Sequence, residues 1–271
     1  MLNIIKADMY RILRGKGFYI TIILLIAVIA LQTAVSSTAK VGMYTTEETA
    51  VDTDTIEELV FTPEAFTGST AAFEMMNNTD TLLYFLLPII IFIAAADFST
   101  DTVKNVLSNG MPRIKYYLSK LILSCVFCLF ISLINIIFPI ITATILRGFG
   151  GEFNIDFILR LLRPFSAQLF MCVAVTCVGI FFVFVTKRTA AVNGAYIAFC
   201  LVPMLLIYIL YMLNNNLEFL FKYDVISNIR MLVHIDTAES IDIIRAFAVG
   251  AFYILASTIG GIVIFRKSEI K

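Results

Sequence analysis

Few side chains in this sequence have the type and spacing that covalent chemistry needs, and their surroundings argue against that chemistry. Cys125 and Cys128 form a C-x-x-C, the spacing of redox pairs and zinc half-sites. They fall in a continuous apolar run without a second Cys or His pair, so they read as small residues facing lipid or a neighbouring helix. Cys172, Cys177 and Cys200 also lie in apolar runs, and none of the five cysteines sits in a polar loop where a disulfide framework would be built. His234 is the only histidine and reads as structural. The sequence holds no G-x-x-x-x-G-K-[ST], no H-E-x-x-H and no G-x-S-x-G, and no paired carboxylates within apolar runs. The chain is therefore expected to carry no catalytic, cofactor-binding or metal-binding residues, and to bind no ATP through a P-loop.

The elements that hold these residues dominate the composition. Hydrophobic residues make up 60% of the 271 and charged residues 15%, with a mean hydropathy of +0.92. A soluble domain keeps a more charged surface than this. Six apolar stretches stand out, at 17–35, 82–97, 121–146, 165–186, 189–213 and 246–265. A hydrocarbon core of ~30 Å takes about 20 helical residues to cross. A β-barrel would instead show alternating segments of about ten residues. The fold class expected is thus an all-α integral membrane domain with six transmembrane helices. The first run is longer than a signal-peptide core and is read as a retained span. Asn135, Gln168 and Asn193 are the most polar side chains within the spans, suited either to helix packing or to a translocation path. The ladders Ala190–Gly194–Ala198, Ala256–Gly260 and Ser257–Gly261 read as packing faces within the chain in preference to a dimer seam, two roles that share the same pattern.

Charge distribution orients the spans. With both termini in the cytoplasm, the inner segments hold 13 of the 20 lysines and arginines but only four of the 20 acids. Ahead of the first span, Leu2, Ile5, Met9 and Ile12 recur at helical spacing, predicting an amphipathic interfacial helix over 1–16. The outer segment 36–81 carries nine acids against one lysine and is expected to be solvated and partly ordered. The other long outer segment, 214–245, is too apolar for an exposed loop, and is expected to fold into short helices dipping back against the spans.

The inner loop 98–120 has a grammar of its own. Thr100 or Asp101 suits an N-cap, and Val103, Val106 and Leu107 share one helical face. Gly110 suits a C′ position and Pro112 the first turn of a following helix. The pattern predicts a helix of about eight residues, a sharp turn, and a second helix entering the third span. An isolated helix this short is marginal in water. With its apolar stripe facing the cytoplasm, it would need something to dock against. Asp97, at the inner boundary of the second span, is placed to pair with a basic residue.

Asp97, the run Lys104–Leu107 (KNVL), Gly110, Arg113, Ser119 and Lys120 together resemble the permease subunits of bacterial type-2 ATP-binding-cassette (ABC) exporters. The resemblance covers the whole chain in architecture and about 24 residues in motif. It departs at Asp101, where these permeases often carry glycine. It implies that Asp101, Thr102, Val103, Lys104, Asn105, Val106, Leu107, Gly110 and Arg113 form the coupling region seated on an ATPase subunit. Lys104 and Arg113 would be the charges nearest that subunit. It further implies a bacterial plasma-membrane location, a second permease copy (the same or a related chain), and ATP with Mg on the partner ATPase rather than on this chain. A peptide substrate of the antimicrobial or toxin kind, and no nucleic acid, follow from the same likeness. An exporter of lipids or drugs, a secondary transporter or channel, and a membrane scaffold are the alternatives.

Overall fold

The computed structural model describes residues 2–38 and 67–268, and no strand occurs among them. Helix α1 (Leu2–Arg14) buries Ile12 and Asp8 and exposes Tyr10 and Leu13, as its amphipathic spacing requires. Gly15 ends it, donating its N–H to the Ile12 carbonyl at 3.0 Å. The chain then turns into α2 (Lys16–Thr38).

Among the described residues, six helices are long and apolar enough to cross a membrane: α2, α4 (Thr79–Ser99), α6 (Arg113–Arg147), α7 (Ile155–Thr186), α8 (Thr189–Leu213) and α10 (Ser240–Lys267). An even number of crossings puts both termini at one end of the bundle, called here the terminal end; the other is the distal end. The helices outrun the apolar stretches, because their polar end turns continue the same hydrogen-bond ladder beyond the hydrocarbon. The second starts at Thr79 rather than 82, since Thr79 is buried and donates its hydroxyl to the Met76 carbonyl at 2.8 Å. Within it, Ile91–Ala95 form a π-turn. Such a turn adds a residue to the helical repeat, which resets the faces beyond it; Asp97 just beyond is buried.

Helix α7 is the hub, packing on α10, α6, α4 and α8. Close approach is set by small residues: a Cβ on Gly250 of α10 would lie 2.6 Å from the Phe170 ring of α7. The Ser257–Gly261 ladder is also internal, with Gly261 against the buried Tyr117 ring. The ladder in α8 is not: Ala190, Gly194 and Ala198 are exposed, correcting the expectation of an internal face.

Helix α3 (Gly68–Asn77) lies in the segment expected to be solvated, yet Ala71, Ala72, Met75 and Met76 are fully buried against the bundle. Small and flexible apolar side chains, spaced for one helical face, carry it inward. The other charges expected to mark that acidic segment (Lys40, six acids from Glu47 to Glu58, and Glu64) lie outside the described residues. At the same end, 214–245 forms a 3₁₀ segment (Asn215–Tyr223), α9 (Val225–Met231) and a short 3₁₀ turn, with Ile226, Ile229, Leu232 and Val233 buried. His234 is exposed there.

Candidate functional site

At the terminal end, helix α5 (Thr102–Ser108) stands between α4 and α6. Its entry and exit are both set by backbone conformation. Asp101 precedes it at φ 55°, and Gly110 follows at φ 83°. The left-handed region at 101 is where glycine is least strained, and aspartate is among the few other residues that visit it. Asp101 does not cap the helix with its side chain; its carboxylate pairs with Lys104 at 2.9 Å. No neighbour lies within 4 Å of a Cβ built on Gly110, so conformation alone calls for glycine there. Pro112 sits just ahead of α6 rather than in its first turn.

The burial of α5 reverses one expectation. Val103 is buried in this chain's own core, and Val106 and Leu107 pack half-buried against it. The apolar stripe is already docked on the bundle. What faces outward is polar: Asp101, Lys104, Asn105, Ser108 and Asn109 are exposed, with Thr102 half-buried. Arg113 is committed internally as well. Its Nη1 donates to the carbonyls of Phe265, Arg266 and Ser268 at 3.1, 2.8 and 2.7 Å, closing the C-terminal end of α10.

Behind α5 lies a buried ion cluster. Lys120 of α6 places Nζ 2.5 Å from Asp97 Oδ2 and 2.6 Å from Asp8 Oδ2. Arg11 of α1 reaches Asp97 Oδ1 at 2.5 Å and Asp8 Oδ1 at 3.2 Å. The Tyr116 hydroxyl donates to Asp97 Oδ2 at 2.5 Å. Two carboxylates and two cations cancel, which is what allows Lys120 and Asp97 to be 1% exposed. Burial raises the Asp8 carboxyl above its ordinary pKa, and Lys120 and Arg11 only partly oppose this. The cluster has all four of its carboxylate oxygens engaged. It pins α1, the end of α4 and the start of α6 together, on both sides of α5.

An aromatic block supports the pin. Phe184 of α7 packs its ring 4.8 Å from Tyr117 and 4.7 Å from Phe265 of α10, centroid to centroid. Phe98, two residues before α5's left-handed turn begins at Thr100, meets Phe184 at 5.5 Å. Edge-on and tilted ring contacts and ion pairs thus tie the residues flanking α5 to α1, α6, α7 and α10.

The three polar span residues do not form one path. Gln168 is a saturated joint: its Nε2 donates to the Met76 and Ile229 carbonyls at 3.0 and 2.9 Å, and its Oε1 accepts from Thr79 at 3.1 Å. Asn135 lines a small void beside it, with Ser132. Asn193 lies toward the terminal end in α8, its Oδ1 buried with no hydrogen bond among the described residues. All five cysteines are free thiols, and no metal-holding group of His, Cys, Asp and Glu occurs among the described residues. Asp8 and Tyr116 had no place among the expected site residues. The signal for Asp8 was present, since an acid between Ile5 and Ile12 falls on the apolar face of an amphipathic helix.

No family model matches this sequence, and none of the curated proteins matches it.

Proposed function

We propose that this chain is the transmembrane permease subunit of an exporter driven by a separate cytoplasmic ATPase, of the type-2 ABC kind. The observation that carries the reading is the short helix α5, seated on the bundle by Val103 and turning only polar side chains outward, while its flanks are pinned to α1, α4 and α6 by buried ion pairs. A helix needed only to connect two spans has no use for so costly a base, because buried charges must be repaid by near-complete pairing. A lever does, since a push on its tip must reach the spans without being absorbed by local bending.

On this reading the terminal end is cytoplasmic, and Lys104, Asn105, Ser108 and Asn109 meet the ATPase. The contact is polar, because the apolar stripe is spent internally. ATP and Mg reside on the partner, two permease copies face each other, and the cargo is an amphipathic or antimicrobial peptide. Affinity capture of the tagged chain from native membranes tests this. A P-loop ATPase is expected to co-purify and to be lost from a Lys104→Glu, Asn105→Ala variant that folds normally. An ATPase-free complex, or one unaffected by that variant, defeats the reading.

A further inference from the structure

At the distal end, α8, the 3₁₀ segment, α9 and α10 enclose a cavity of about 180 Å³. Cavities of ~150 Å³ with apolar walls take up molecules of benzene size. This one is walled by Leu83, Val175, Phe199 and Ile226 among others, and Asp224 is the one charged side chain in its lining, beside Cys200, Tyr223 and Tyr253. Asp224 lines it while being 7% exposed. Its Oδ2 caps α9, accepting from the Ser227 N–H and hydroxyl at 2.9 Å each. Its Oδ1 takes no hydrogen bond, and the carboxylate has no ion-pair partner, among the described residues. Pro203, also in the wall, cannot donate to the carbonyl of Phe199, as the residue four places on in a helix otherwise does. The cavity thus joins a largely apolar lining to a carboxylate that has no ion-pair partner among the described residues.

We propose that this cavity binds an aliphatic primary ammonium: a chain of a few carbons lying along the apolar lining, with its –NH₃⁺ on Asp224. A lysine side chain of a peptide and a free alkylamine share that chemistry. Binding needs no ATPase, so its failure would leave the exporter reading untouched, and the reverse.

Cys200 lines the same cavity and reports occupancy. The purified chain in nanodiscs is treated with methyl methanethiosulfonate, and modification of the Cys200 peptide is followed by mass spectrometry. Hexylammonium is expected to slow it about fivefold more than hexanol, since a charge-assisted bond is roughly twice as strong as a neutral one. Hexanoate is expected to give no protection. Asp224→Asn keeps a residue competent to cap α9, and should bring hexylammonium down to the level of hexanol. A lysine-bearing amphipathic peptide, set against its norleucine counterpart, separates the sources: protection by the lysine form alone supports a peptide side chain, and protection by the amine but by neither peptide supports a free amine. Equal protection by hexanol and hexylammonium in the unmodified chain overturns the proposal. So does a rate of Cys200 modification that hexylammonium leaves unchanged.

Discussion

Lys120 neutralises two carboxylates at once, so its removal differs from the loss of a surface ion pair. In Lys120→Met, Asp97 and Asp8 keep their burial and lose their shared cation. Breaking one partner out of a buried pair costs about 3–5 kcal/mol, and thermal unfolding of the purified protein should show a loss of that size. Asp97→Asn combined with Lys120→Met should recover part of it, leaving Arg11 with Asp8. Asp8 contributes in the opposite sense. Its carboxyl is raised by burial, so between the ordinary aspartate pKa and the raised one the folded chain holds a proton that the unfolded chain has released. Stability therefore falls as pH rises through that window, and the fall should be absent from Asp8→Asn when melting temperature is scanned against pH. Asp101 carries a third expectation. At φ 55° a non-glycine residue is strained by about 1–2 kcal/mol, so Asp101→Gly should be neutral to stabilising and Asp101→Val destabilising, read by the same melts.

Helices, unlike side-chain partners, were largely legible before the structure. Continuous apolar runs and cap residues place α2, α6, α7, α8 and α10, and the Val103–Val106–Leu107 spacing with Gly110 places α5, because both signals are local in sequence. The π-turn at Ile91–Ala95 left no local trace, being a matter of how α4 fits its neighbours. The direction of α5's apolar face was misjudged for a related reason. Periodicity shows that a helix has an apolar face, but only the fold shows what already covers it. Likewise, the resemblance sets Arg113 among the charges nearest a partner subunit, while its hydrogen-bond partners lie more than 150 residues away at the end of α10. That contact makes an element-level expectation. Arg113→Ala should fray the last turn of α10, seen as faster amide hydrogen exchange at 265–268, with little change at the middle of the helix. Arg113→Lys should restore little, because a point ammonium cannot span carbonyls as the planar guanidinium does.

Across the whole molecule, burial is uneven in a way that bears on assembly. In α4 and α7, 61% of the most apolar window is buried, against 11% in α8. Most of the α8 surface is large and aliphatic, including Leu205, Leu206 and Ile209, and suits lipid tails without further help. Its terminal half differs. Ala190, Gly194 and Ala198 form an exposed small-residue stripe. Lipid tails gain nothing from small residues, whereas another helix gains van der Waals contact by close approach. If the exporter proposed above contains two copies of this chain, this stripe is where α8 of one copy should meet the other. Ala198→Cys is expected to cross-link copies under mild oxidation in native membranes, and Leu206→Cys, on the lipid-suited surface, is not. Gly194→Ile should abolish the cross-link while leaving the melting temperature of the single chain nearly unchanged, since nothing lies within 4 Å of a Cβ at Gly194. Equal cross-linking at both positions would show that the stripe has no preference for a second copy, and would move the interface elsewhere on the bundle.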